Sequence, residues 1–305
     1  MRVKAPASIS NLNCGFDVLG MAMNRPFDVV ELELTETGIV EITEIKGCSS
    51  LSSDPDKNVV GVVLKAVMDK TAGKTGFRAK LEKGITPGSG IGSSAASSAA
   101  AACAANMLLG GCFSETEVVT FAMEGEKLAS GSAHADNVAP AVMGGITLVR
   151  SYDPLDIVRI NIPKELFCVV IHPALEVKTS EARKVLDSHI PLNTAVKQWG
   201  NVGGLIAGLY TEDYDLISHS LVDYVAEPRR AKLIPRFYEI SSAAVNAGAL
   251  GSGISGSGPS TFALCRGEES ADKVCDAMTA VMKNAGIAFD SYITQVSKAG
   301  ASECI

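Results

Sequence analysis

Three glycines fall within residues 88–92, and eight of the thirteen residues that follow, 93–105, are alanine. A glycine-rich loop that turns into a helix aims free backbone N–H groups and the positive end of the helix dipole at one place, and such a place binds an anion. The segment reads Thr86-Pro-Gly-Ser-Gly-Ile-Gly-Ser-Ser-Ala95. Its glycines let the backbone approach phosphate oxygens without Cβ interference, and Ser93 and Ser94 add hydroxyls able to bond a phosphate or a metal ion. No aspartate or glutamate occurs between Glu82 and Glu115, as suits a wall that must accept negative charge. A flexible loop leading into a tightly packed small-residue helix would use the same residues, but it would need neither the paired serines nor the order strand, loop, helix. Two other nucleotide motifs fail on spacing. Gly73-Lys74-Thr75 ends like a Walker A loop whose first glycine would fall at Met68, and a dinucleotide fingerprint begun at Gly88 and Gly90 would need its third glycine at Ser93.

The 305 residues are about twice the usual ~150-residue domain, so two domains sharing a cleft are expected. Hydrophobic residues make up 47% and charged residues 20%, an ordinary globular balance. A formal net charge of -7 leaves no basic surplus to replace phosphate counterions, which argues against a nucleic-acid partner. An anionic ligand must therefore be held locally. The eight cysteines contain no C-x-x-C pair and read as reduced, mostly buried thiols; Cys168 and His172 are spaced like zinc ligands, but nothing nearby completes a set. No apolar run approaches the ~18 residues needed to span a bilayer and the N-terminus lacks a signal-peptide core, so a cytoplasmic location without membrane contact is expected.

Alternation of Val30, Leu32 and Leu34 with Glu31, Glu33 and Thr35 predicts a half-buried strand within residues 26–35, with 40–45 its expected antiparallel partner. Helices are expected over 58–70, from the capping box Ser114-Glu-Thr-Glu117 to about 129, and over most of 179–246. Three strand-like runs cluster within 146–172. A second glycine/serine loop, 251–260, leads to a strand at 261–265, a helix at 270–284 and a last strand at 292–296. Strands and helices do not alternate regularly, so the fold class is α+β with antiparallel sheets. The polar Tyr-Asp-Pro turn within 151–156 is the expected boundary, giving domains 1–152 and 153–305.

The segment Pro87-Gly88-Ser89-Gly90-Ile91-Gly92-Ser93-Ser94-Ala95 resembles the phosphate loop of the GHMP kinases, with Ile91 where leucine or methionine is more usual. Lys4-Ala-Pro-Ala-Ser-Ile-Ser-Asn-Leu-Asn-Cys-Gly-Phe-Asp-Val-Leu-Gly20 is similar to the first motif of that superfamily in its homoserine kinase form, and Gly253-Ile-Ser-Gly-Ser-Gly-Pro-Ser260 to the third, a glycine loop closing over the active site. His134-Ala-Asp-Asn-Val-Ala-Pro-Ala141 also matches the homoserine kinase branch. The resemblance spans nearly the whole chain. It implies a two-domain GHMP kinase architecture, with an N-terminal ATP-binding domain like the second domain of ribosomal protein S5 and a ferredoxin-like C-terminal domain.

It further implies ATP and Mg²⁺ as cofactors, L-homoserine as the small-molecule substrate, a place in threonine biosynthesis, and a homodimer. Ser94 and Glu126 match the family's metal pair, although Glu126, like Glu124 near it, would otherwise read as a solvated helix residue. Asn58 borders the adenine by resemblance, or simply caps the helix that starts there. The resemblance places Asn11, Asp17, His134, Asp136, Thr179, Arg183, Arg230 and Gly256 around the acceptor, with Asp136, Asn137 and Arg183 the catalytic candidates. The chemistry fits a zwitterion: Asp17 can face an ammonium, while Arg183 and Arg230 can clamp a carboxylate. Arg229, adjacent, leaves open which of the two points inward. Where mevalonate and galactose kinases carry an aspartate base and a lysine, this chain has Asn137 and Ser8, which implies transfer without a strong side-chain base. The rival readings are a mevalonate- or sugar-type GHMP kinase and a nucleotide-binding regulator of the same fold that has lost catalysis.

Overall fold

The computed structural model describes residues 1–71 and 75–304; Gly73 and Lys74 of the Walker-like tripeptide lie outside them. The first half contains β1 (Arg2–Ser10), β2 (Leu19–Thr35), β3 (Val40–Lys46), α1 (Val59–Lys70), β4 (Gly76–Glu82), α2 (Ser93–Leu108), α3 (Glu115–Ser130), α4 (Val138–Met143), β5 (Ile146–Tyr152) and β6 (Leu155–Ile160). The second contains β7 (Leu166–Pro173), α5 (Thr179–Lys184), α6 (Leu192–Thr211), α7 (Tyr214–Ser220), α8 (Glu227–Arg230), α9 (Phe237–Asn246), β8 (Gly251–Ile254), β9 (Thr261–Arg266), α10 (Glu268–Asn284), β10 (Phe289–Gln295) and β11 (Ser302–Glu303).

One sheet has the order β11-β1-β2-β4-β3, with β5 on the early part of β2 and β6 beyond it. The other has the order β10-β7-β9-β8 and is antiparallel throughout. Counting from β7, that is fourth, first, third, second, with α5 to α9 after the first strand and α10 after the third. This is the ferredoxin-like arrangement.

Helix α2 is the axis of the first half. Of residues 93–105 only Ser94 is not buried. The helix lies against β1 and β2 on one side and α1, α3 and α4 on the other, so it has no solvent face and needs no amphipathic stripe. Alanine and serine let all these neighbours approach closely. The small-residue run thus serves the core, while the helix start opens onto a cleft. The capping box at Ser114 forms as expected, with Ser114 Oγ accepting from Glu117 N and Glu117 Oε2 accepting from Ser114 N at 2.9 Å.

Two expectations about partners and boundaries change. The 40–45 strand does not pair with 26–35: β4 lies between them, antiparallel to β2 and parallel to β3. Gly76 opens β4, and a Cβ there would lie 2.5 Å from Thr35 Oγ1 and 2.6 Å from Ile39 O, so its lack of a side chain lets β4 enter between the two strands. The turn at 153–154 joins β5 to β6 as a hairpin within one sheet, so a division at 152/153 cuts paired strands. Sheet membership changes only after Ile160, and β11 returns the chain end to β1.

A buried ion pair fastens the start of α2 to the sheet. Asp28 of β2 is fully buried and accepts from Gly84 N and Ile85 N at 3.0 Å each, from Ser97 Oγ at 2.7 Å, and from Lys83 Nζ. Lys83 also reaches Ser93 O at 2.9 Å, Ser93 Oγ at 2.8 Å and Ser97 Oγ at 3.0 Å. Removing one member strands the other charge in a dry site, which costs about 3–5 kcal/mol. Asp28→Ala is expected to lose that much in urea unfolding, and a loss comparable to a surface substitution would contradict the pair's role.

Candidate active site

The cleft between the two halves has a volume of about 550 Å³. Its floor is the 87–95 loop and the first turn of α2. Gly88, Gly90 and Gly92 have φ of +72°, +80° and +70°, a left-handed alternation that turns successive amides to one side. Among the described residues, no N–H of residues 90–95 donates a hydrogen bond; the first to do so is Ala96 N, to Gly92 O at 2.9 Å. Six neighbouring donors at a helix start form a ready anion site. Pro87, Gly88, Gly90, Gly92, Ser93 and Ser94 line the cleft. Ser89, Ile91 and Ala95 are buried and do not line the cleft. The Ser93 hydroxyl is also turned back: it donates to Ile85 O at 2.8 Å and accepts from Lys83, which leaves the Ser93 amide, not its oxygen, available.

Asn58 caps α1, its Oδ1 accepting from Val60 N at 3.0 Å, and the residue also lines the cleft beside Leu51 and Lys57. Glu126 is not a surface residue. It is buried, lines the cleft, and its Oε1 has no hydrogen-bond partner among the described residues, whereas Glu124 sits half-exposed beside Lys127. Burial pushes the Glu126 carboxyl above its usual range, with the Ser94 hydroxyl and then Lys83 pulling it back. An orphaned buried carboxylate oxygen beside the Ser94 hydroxyl is a donor pair of the kind a hard divalent cation takes.

The acceptor end gathers residues from five segments. Asn11 donates to Gly256 O at 3.1 Å and accepts from Asp17 N at 3.0 Å, which shapes the tight 11–17 turn where both have positive φ. Asp17 and Arg183 face each other directly, at 2.7 and 3.1 Å through both guanidinium ends, so the groups expected to take opposite ends of a zwitterion neutralise one another. His134 Nδ1 is 3.9 Å from Asp17, its Nε2 is buried without a partner among the described residues, and burial lowers its pKa. Arg230 is 3% exposed, donates to Ala182 O at 3.1 Å and Gly256 O at 2.8 Å, and stacks with Arg183 on Phe16. Arg229 instead pairs with Asp187 at the surface, so Arg230 is the inward member. Thr179 meets Ser257 at 3.4 Å on the cleft wall.

Asn137 is held at both ends of its amide, accepting from Ser8 Oγ and donating to Ser10 Oγ, each at 2.9 Å. Asp136 accepts from Asn137 N at 3.1 Å. It is 4% exposed, and burial, then Asp17 and Glu126, push its carboxyl up to about 7.

Several cleft residues went unread in the sequence. Lys83 carries no local motif of its own, while Ser10 and Phe16 stand inside the Lys4–Gly20 segment with nothing in the sequence to single them out. The strongest available signal was Asp28, an acid inside an apolar strand. The carboxylate-free wall holds locally, but the fold brings Glu176 from the second half onto Gly88.

Models of the GHMP kinase N-terminal domain and the GHMP kinase C-terminal domain match residues 58–145 and 205–284. Homoserine kinase of Chlorobium phaeobacteroides is 48% identical over 310 residues, covering 97% of each chain. The crystal structure of homoserine kinase from Cytophaga hutchinsonii superposes with a TM-score of 0.95 at 46% identity, covering 99% of this chain and 96% of that one. Mevalonate kinase of L. major, at 16% identity and a TM-score of 0.72, shares the fold alone. The chain is a kinase of the GHMP class and belongs to its homoserine kinase family.

The Asp136 carboxyl keeps its proton to about 7 in the folded chain, whereas an unfolded aspartate releases it near ~4. Between those values the folded state binds more protons, so this group lowers stability as pH rises and its cost is complete above pH ~7. Asp136→Asn, which keeps the acceptor for Asn137 N, is expected to gain on the order of 4 kcal/mol relative to the parent between pH ~4 and pH ~8. Parallel pH–stability curves would contradict this.

Proposed function

We propose that the chain transfers the γ-phosphoryl group of ATP to the side-chain hydroxyl of L-homoserine, forming O-phospho-L-homoserine for threonine biosynthesis. The observation that carries the reading is the meeting, in one cleft, of Gly90, Gly92, Ser93 and Ser94, whose amides are free, with the Asp17, Arg183 and Arg230 cluster. The first suits nucleotide phosphates. The second suits an amino acid, and the relatives named homoserine kinase bring the particular acceptor.

In this reading Asn58 borders the adenine and the amides of the 87–95 loop take the β- and γ-phosphates. Ser94 and Glu126 would hold Mg²⁺, which when bound neutralises phosphate charge. An incoming ammonium takes Asp17 from Arg183, and the released guanidinium joins Arg230 on the carboxylate, so both charges keep partners throughout the exchange. His134, Thr179 and Gly256 complete the walls. Asn137 cannot accept a proton to become a base; clamped by Ser8 and Ser10, it orients the acceptor hydroxyl, with Asp136 fixing its backbone. Phosphoryl transfer through a loose transition state needs in-line placement and charge stabilisation more than a strong base, and the site supplies both.

A mevalonate- or sugar-type kinase would need a base where Asn137 stands, and a regulator would not need an assembled acceptor site. Among the described residues no helix is long and apolar enough to cross a membrane, and a cytoplasmic homodimer is part of the proposal.

ADP release measured with L-homoserine, mevalonate and galactose is expected to respond to L-homoserine; release with another acceptor alone, or ATP binding without turnover, would reject the proposal. Glu126→Gln is expected to lower kcat about 100-fold and raise the Mg²⁺ requirement. A kcat within twofold of the parent would remove Glu126 from the metal site.

A further inference from the structure

Three successive carbonyls of the phosphate loop are tied down on the side away from the cleft. Ser260 donates to Ser89 O through Oγ at 2.6 Å and through N at 3.3 Å. Ser255 Oγ donates to Gly90 O at 2.7 Å, and Ser8 N donates to Ile91 O at 3.1 Å. The C=O and N–H of a trans peptide point in opposite directions. Fixing the oxygens of residues 89 and 91 therefore turns the N–H groups of Gly90 and Gly92, both on the cleft lining, toward the cleft, and fixing that of residue 90 sets the Ile91 N–H between them; these are three of the amides without a partner.

Ser255 and Ser260 are fully buried, and neither lines the cleft. They lie on the second glycine/serine loop, whose Gly256 and Ser257 line the cleft while Ser255 and Ser260 turn behind the first loop. The fit is close, since a Cβ on Gly90 would lie 2.5 Å from Gly258 O and 2.9 Å from Ser255 O. Ser257, on the same loop, makes neither bond.

We propose that Ser255 and Ser260 are positioning residues for the nucleotide: their hydroxyls, supplied by the second half of the chain, set the direction of the phosphate-loop amides. The inference rests on the kinase reading of the cleft. A loop carbonyl released from its hydroxyl lets its peptide plane rotate, and the amide no longer points where the phosphate lies. Acceptor binding does not depend on that rotation, because Asn11 and Arg230 are fixed through Gly256 O, a different peptide of the loop.

The test uses the full chain with Ser255→Ala, Ser260→Ala and the double variant, each titrated with ADP and assayed with ATP and L-homoserine. Each single variant is expected to weaken ADP binding and raise the ATP KM about tenfold, while the homoserine KM at saturating ATP stays within about twofold. Ser255→Cys and Ser260→Cys keep the shape but donate poorly, and are expected to bind ADP as weakly as the alanine variants. They also serve as the variants to titrate if an alanine form does not fold. Unchanged ADP affinity, an equal loss for both substrates, or full affinity in the cysteine variants would overturn the proposal. A parent enzyme that binds ADP yet phosphorylates no homoserine would undo the functional reading and leave the ADP titrations to decide this one.

Discussion

The unpaired amides at the start of α2 are the constraint that the rest of the molecule accommodates. A row of backbone donors without acceptors is unfavourable in a folded chain until an anion arrives. Such a row survives only if the surroundings hold it against collapse into ordinary turns. Glycines at positive φ, the Lys83–Asp28 pair beneath the first turn, and hydrogen bonds to the loop carbonyls all do this. The body of α2 supplies the rigidity behind them, buried on every side with side chains small enough for sheet and helices to close on it.

Charge in the cleft follows from the same economy. The chain is acidic overall, at -7, so attraction for a nucleotide cannot come from a general surplus of lysine and arginine. Much of it is local, in oriented amides and a helix terminus. At the acceptor end the charges are side chains, but Asp17 and Arg183 cancel, and burial works against charge on Glu126 and Asp136. A zwitterion can enter such a site by exchange of partners, whereas a ligand with one charge would leave Asp17 or Arg183 unsatisfied.

Local chemistry was legible in the sequence and spatial partnership was not. The 87–95 loop could be read because glycine, paired serines and an alanine helix each have a physical reason to stand in that order. The ferredoxin-like half was legible only through the resemblance. Alternation in 26–35 and 40–45 marked two strands correctly yet could not name their neighbour, because a period of two fixes which face is buried and says nothing about which strand lies alongside. Gly76, the residue that admits β4 between them, looks like any turn glycine. Lys83 likewise reads as a solvated residue after a strand until Asp28 and Ser97 are brought beside it. Arg229 and Arg230 are chemically identical in sequence, and only the stacking on Phe16 against the pairing with Asp187 separates them.

The central claim is that the backbone of residues 90–95 receives the nucleotide phosphates. Its most direct test is the amide spectrum of the isotopically labelled full chain, recorded without ligand and with a non-hydrolysable ATP analogue. The account predicts large downfield shifts of the Gly90 and Gly92 N–H resonances, with slowed exchange of both protons with water. Saturating analogue that moves resonances near Asn58 but leaves Gly90 and Gly92 unchanged would contradict it.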